Sequence, residues 1–186
     1  MLPGRARALF ITHTGTFAAL LAAGSWISIP FFPVPLTLQT LFLFLAAGFM
    51  GRFAIAPVCL YLLLGALNFP VFHNGAAGIG VFLGPTGGYL AGFVPAVLVS
   101  GLCYEKQGWQ VRCAGMVAGI VLIYASGIAW LSSSTGLALP AAVLLGAVPF
   151  IPGDLLKAAA AYAVVGRVTG ARVSNGKRGE GEGTGP

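Results

Sequence analysis

Charge is what this sequence has least of. Asp and Glu together number 4 and Lys and Arg 10 in 186 residues, so charged residues make up 8% against 58% hydrophobic. A soluble domain carries roughly 25% charged residues, so a water-facing fold is excluded and the solvent implied is lipid. The acidic residues are too few and too dispersed for a metal-dependent transferase. The net charge of +6 comes from basic residues scattered at the ends of apolar runs. That pattern marks membrane flanks, not a nucleic-acid surface. Cys59, Cys103 and Cys113 have neither metal-ligand spacing nor the even number of a disulfide framework, and they read as reduced thiols. His13 and His73 stand apart from other ligand-type residues, so no metal site is expected. Catalytic signatures such as H-E-x-x-H and G-x-S-x-G are missing too. Near the end, Gly170 and Gly176-Lys177 are spaced by five residues where a P-loop has four, and Arg178 stands in place of Ser or Thr. The chain is therefore not expected to be an enzyme or to hydrolyse ATP alone.

What is present is a series of apolar runs. A bilayer core of about 30 Å needs roughly 20 apolar residues in a helix. Six candidate spans follow: about Ala8–Ile29, Leu36–Met50, Phe53–Asn68, Thr86–Cys103, Val111–Leu131 and Pro140–Gly166. Arg5 and Arg7 before a run ending in Ala22-Ala23-Gly24 could pass for a signal peptide. The run is long enough to span, so an uncleaved first helix is expected. The second and third spans, joined at Gly51-Arg52, read as a helical hairpin. Arg5, Arg7, Arg52, Lys106, Arg112, Arg167, Arg172, Lys177 and Arg178 all fall on alternate connections and the two ends. Lys and Arg accumulate on the cytoplasmic side, which predicts an all-α integral membrane protein: a six-transmembrane-helix bundle, N-in and C-in. Residues 1–170 form the membrane domain, and the polar, Gly-rich stretch 171–186 is expected to be a disordered cytoplasmic tail.

Two outer connections, Pro30–Gln39 and Asn68–Gly88, are apolar yet rich in Pro and Gly. Backbone of that kind leaves N–H and C=O groups unpaired, so it belongs against protein or a cavity rather than lipid. Short surface loops, or the lid and wall of an outward-facing pocket, both satisfy this. Below them, Asp154 and Lys157 lie one helical turn apart and deep in the sixth span. Each costs roughly 2.5–3.5 kcal/mol at a helix centre. A self-neutralising ion pair would reduce that cost, but two Leu would avoid it, so a solute path is the better reading. Pro149 and Pro152 should kink the span and free carbonyls beside the pair, with Gly153 allowing close approach. Thr37, Gln39 and Thr40 open the second span, with capping the plainer role for the threonines. Thr86 could cap the fourth span and Tyr89 could sit in an interfacial belt, as Trp26, Trp109 and Trp130 should. Ala18–Ala22 and Ala19–Ala23 give the first span two small-residue pairs for close helix approach.

These residues resemble a known family. Ile29-Pro30 with Pro33-Val34-Pro35-Leu36-Thr37-Leu38-Gln39-Thr40-Leu41 resembles the first outer loop of the BioY family, the biotin-specific S components of energy-coupling-factor (ECF) transporters. Leu83-Gly84-Pro85-Thr86-Gly87-Gly88-Tyr89-Leu90-Ala91-Gly92-Phe93, Pro152-Gly153-Asp154-Leu155-Leu156-Lys157 and Tyr61-Leu62-Leu63-Leu64-Gly65-Ala66 are similar to the family's later segments. The likeness covers about residues 8–166. His73-Asn74-Gly75-Ala76-Ala77-Gly78 departs from the family's Gly-rich, sometimes basic pattern.

The resemblance implies a prokaryotic cell-membrane S component that captures biotin from outside and needs no cofactor. It would topple in the membrane on docking to a transmembrane coupling protein driven by ABC-type ATPases, with homo-oligomers also possible. The family's docking stripe maps to Ala18–Ala22 or Ala19–Ala23, the first pair being favoured. With biotin as ligand, chemistry suggests roles. Asp154 would accept a ureido N–H, and Lys157 would donate to the ureido oxygen or the carboxylate. Gln39, Asn74 and the turn carrying Thr86, Gly88 and Tyr89 would add polar contacts. Phe31, Phe32, Pro33 and Pro35 would close a lid. The rival reading is an ion- or proton-coupled carrier of a small carboxylated solute that titrates on Asp154. It is weakened by the lack of an evident inverted repeat.

Overall fold

The computed structural model describes residues 4–181, with side chains described for residues 4–169. Helix α1, Gly4–Trp26, buries Phe17, Ala18, Leu21, Gly24 and Ser25, a stripe at the spacing of one helix face. It ends three residues before the expected Ile29. Ser28–Ile29 (β1) instead pairs antiparallel with Leu36–Thr37 (β2). The prolines between them cannot continue a helix, so the flanking backbone pairs with itself. This small ribbon is the one feature the all-α expectation lacked.

Helices α2, Gln39–Met50, and α3, Ile55–Ala66, are joined by a 3₁₀ turn over Gly51–Ala54. By length and apolarity Gln39–Ala66 passes as one 28-residue helix, but the contacts exclude a straight rod. Gln39 Nε2 donates to the Tyr61 hydroxyl at 2.7 Å, while 22 residues of continuous helix would separate them by about 33 Å. The chain reverses at Gly51, whose φ of +58° favours glycine. Glu105 Oε1 accepts the Arg52 backbone N–H at 2.9 Å and Arg52 Nε at 3.1 Å. This holds the turn against the connection between the next two long helices.

A short helix α4, Gly80–Leu83, lies in the outer segment, followed by α5, Gly87–Tyr104, and α6, Trp109–Thr135. The α5–α6 pair is the most extensive helix contact. Side chains at Gly92 or Gly115 would collide with the opposing helix, so the glycines permit the close packing that lipid-embedded helices rely on. The expected sixth span is two helices, α7, Leu139–Gly146, and α8, Ile151–Gly181, bent by 48° where Pro149 and Pro152 fall. The expected tail lies outside the described side chains, although the α8 backbone runs on to Gly181. Among the described residues, four helical stretches are long and apolar enough to cross a membrane if Gln39–Ala66 is counted as one, or five if the bent pair is also a span.

Candidate functional site

A cavity of about 560 Å³, counting its open mouth, lies where the broken helix, the Pro-rich loop and α5–α6 meet. Asp154 sits at its wall, 5% exposed, in the first turn of α8, where the positive end of the helix favours an anion. Its Oδ1 accepts Thr40 Oγ1 and Lys157 Nζ, each at 2.8 Å, and its Oδ2 accepts the Tyr124 hydroxyl at 2.6 Å. Lys157 Nζ also donates to the Thr37 carbonyl at 2.6 Å, so the β-ribbon is tied to the charged pair. Thr37 Oγ1 donates to Gln39 Oε1 at 3.0 Å, and Gln39 carries the chain of bonds on to Tyr61.

Counting capacity shows what remains for a ligand. A carboxylate has about four lone-pair sites and an ammonium three donors. Asp154 uses three acceptor sites and Lys157 two donors on protein partners. One acceptor on Oδ2 and one N–H on Nζ are left.

The kink alters another expectation. In a continuous helix the Gly146 carbonyl would take the N–H of residue 150. Here Phe150 N–H bonds Ala147 O at 2.9 Å instead. The freed Gly146 carbonyl accepts the Tyr89 hydroxyl at 2.9 Å, so it is spent on packing and not left for a ligand. Tyr89 is buried at the cavity wall, not in an interfacial belt. Gly127 and Gly146 make room for its ring and hydroxyl.

Of the expected contacts, Asp154, Lys157, Tyr89, Thr86 and Gln39 line the cavity. Thr86 precedes α5 without capping it through its side chain. Gly88 does not line the cavity; a side chain there would strike Trp130 and the Ser126 carbonyl of α6, so its role is helix packing. Asn74 is exposed, and its Oδ1 accepts Ser28 Oγ at 3.3 Å; the neighbouring His73 faces the cavity instead. In the lid, Pro35 lines the cavity with Val34, while Phe31, Phe32 and Pro33 do not. Phe32 is 88% exposed, and Phe31 packs edge-on at 5.9 Å against Phe150, itself a wall residue. Thr40, expected as a cap, bonds Asp154. Tyr124, Leu90, Phe93, Ile123 and Phe150 complete the wall and were not anticipated. Tyr124, a mid-span hydroxyl, was the one with a readable signal.

The two small-residue pairs of α1 differ in exposure. Ala18 is buried and Ala22 half-buried, whereas Ala19 and Ala23 are exposed. The outer segment is pinned from both sides: Trp26 Nε1 donates to Pro70 O at 3.0 Å, Ser25 Oγ to Val71 O at 2.6 Å and Trp130 Nε1 to Gly84 O at 2.9 Å.

Comparison with known proteins gives a consistent picture. A family model described as the BioY family matches residues 4–173. The chain is 43% identical over 151 residues to the "Biotin transporter BioY" of Thermotoga maritima, covering 79% of this chain and 88% of that one. It is 38% identical over 161 residues to the "Probable biotin transporter BioY" of Pyrococcus horikoshii, covering 86% and 96%. Its fold is similar to a crystal structure of the S component for biotin from an ECF-type ABC transporter. The TM-score is 0.83 and the identity 25%, over 91% of this chain and 95% of that one.

Proposed function

The chain belongs to the BioY family, and on that premise we propose that it is a multi-pass S component of the prokaryotic plasma membrane that binds biotin for uptake. The observation that carries this reading is that Asp154 and Lys157, paired at 2.8 Å, each keep hydrogen-bonding capacity that no protein group uses. A cyclic urea presents an N–H next to a C=O along one edge, the complement of that pair. The N–H meets Asp154 Oδ2 and the carbonyl meets Lys157 Nζ. Leu90, Phe93, Ile123 and Phe150 receive the apolar thioether ring, with Gln39, Thr86 and Tyr89 at the polar margin. Val34 and Pro35 cover the ligand from the outer loop.

The membrane arrangement goes with this. Six crossings, with both termini inside, are supported by the reversal at Gly51 and by Arg52 and Glu105 joining two basic connections at one end. The neutral outer loops then roof the cavity at the other end. Docking to a coupling protein driven by ABC-type ATPases would use the exposed Ala19–Ala23 pair of α1. An ion-coupled carrier is not supported: the relatives are described as biotin transporters and the fold is similar to that of a biotin S component. The relatives are transporters, not enzymes. Calorimetric titration of the purified protein with biotin tests the ligand. Uptake with and without coupling-factor subunits tests the partners, and full uptake without them would overturn the docking proposal.

A further inference from the structure

Among the described residues, His73 Nδ1 is the one buried side-chain nitrogen or oxygen atom without a hydrogen-bond partner. The residue lines the cavity. An unpaired buried polar atom costs about 1–3 kcal/mol, so it calls for a reason. The local backbone aims it. Asn74 and Gly75 have φ of +55° and +73°, and the turn is closed by Gly75 N–H to Phe72 O at 3.1 Å and Ala76 N–H to His73 O at 3.0 Å. Phe72, 1% exposed, is wedged edge-on between Tyr61 and Phe82 at 5.4 and 5.5 Å. On the other side Asn74 is tied to Ser28. With both neighbours fixed, the backbone of the turn places the Cα of His73 at the cavity rim.

The charged groups of the cavity wall are already committed to each other. Asp154 and Lys157 neutralise each other, and what they have left suits a urea edge. A carboxylate at the other end of the ligand needs its own donor. We propose that His73 is a direct contact for the ligand's carboxylate, which it receives as an imidazolium by taking one proton from solvent. This rests on the biotin reading, since it assigns the second end of the same ligand.

The groups facing His73 are Asp154, Lys157, Tyr89 and Tyr124 across the cavity, with Tyr61 behind Phe72. The outer half of α1, Phe17–Trp26, which packs against its turn, carries no ionisable residue. Burial holds the free imidazole below its ordinary value, so it is neutral at pH 7 before binding. A bound anion favours the charged form. Binding therefore takes up a proton: affinity is highest below the free-state value and is lost as pH rises through the bound-state value.

The test is calorimetric titration with biotin and with biotinamide, its neutral amide, from about pH 6 to about pH 8. Wild type, His73→Ala and His73→Gln are compared, the Gln variant keeping a polar side chain of similar reach should Ala disturb the turn. For wild type, biotin affinity should rise several-fold as pH falls, with proton uptake seen as a buffer-dependent heat, while biotinamide shows neither. Both variants should lose the pH slope, and His73→Ala should weaken biotin about tenfold but leave biotinamide unchanged. A slope that survives in both variants, or equal losses for the two ligands, would overturn the contact and leave the biotin reading standing. Failure of wild type to bind either ligand would overturn the biotin reading itself.

Discussion

Two acid–base pairs stand at opposite ends of α2, and they differ in nearly everything except charge. Asp154 and Lys157 are held by further hydroxyls and a backbone carbonyl, with side chains 8% and 17% exposed. Arg52 and Glu105 are 60% and 30% exposed and fasten one turn. The backbone N–H of Arg52, aided by its guanidinium, holds the Glu105 carboxyl below the ordinary carboxylate range. The difference teaches that a charge pair's role follows from its surroundings. In the open, water screens the pair and it does little more than position a turn. In the interior, desolvation makes each charge costly, and only a surrounding network with capacity left for a ligand accounts for it.

Mutations at the two ends should separate these roles, and the largest effect is expected from leaving a charge alone in the interior. Asp154→Leu strands the Lys157 ammonium and should cost about 3 kcal/mol of stability, read as a fall in thermal unfolding temperature in detergent. Adding Lys157→Met should restore most of that stability while biotin binding stays lost. If the double variant bound biotin, the pair would be structural only. Next in size, Tyr124→Phe removes one donor to the carboxylate and should weaken biotin about tenfold with folding unchanged. Thr40→Val removes a second donor at the far oxygen and should cost several-fold in affinity, about 1 kcal/mol. The smallest effect is expected at the other end, where Glu105→Gln should leave biotin affinity unchanged. The sign of its pH dependence is that of a depressed carboxyl. Whatever stability Glu105 contributes is present above its ordinary range and is lost as pH falls through its lowered value. Unfolding temperature should therefore be flat across neutral pH for wild type and variant alike. A Glu105→Gln variant that bound biotin as weakly as Tyr124→Phe would erase the contrast.

Much of this was legible in the residues. The charged pair, the break at Pro149 and Pro152, and the reversal at Gly51 follow from what lipid does to charge, to missing N–H donors and to a glycine between apolar runs. The partners of the pair were less legible. Thr40 and Tyr124 reach Asp154 across 114 and 30 residues, and no local pattern distinguishes a threonine that caps from one that crosses to another helix. Direction was the other loss. Spacing alone gave Ala18–Ala22 and Ala19–Ala23 equal standing, and only the packing of α1 turned one pair inward. In the same way a loop sequence names Phe31, Phe32, His73 and Asn74 without saying which of them face the cavity.

The central claim is that Asp154 contacts the ligand directly, and titration of Asp154→Asn with biotin tests it most directly. The exchange keeps size and one oxygen but removes the charge that organises the site. Affinity at least about tenfold below wild type, in a variant that remains folded, is the predicted result. An unchanged calorimetric affinity in a folded variant would contradict it.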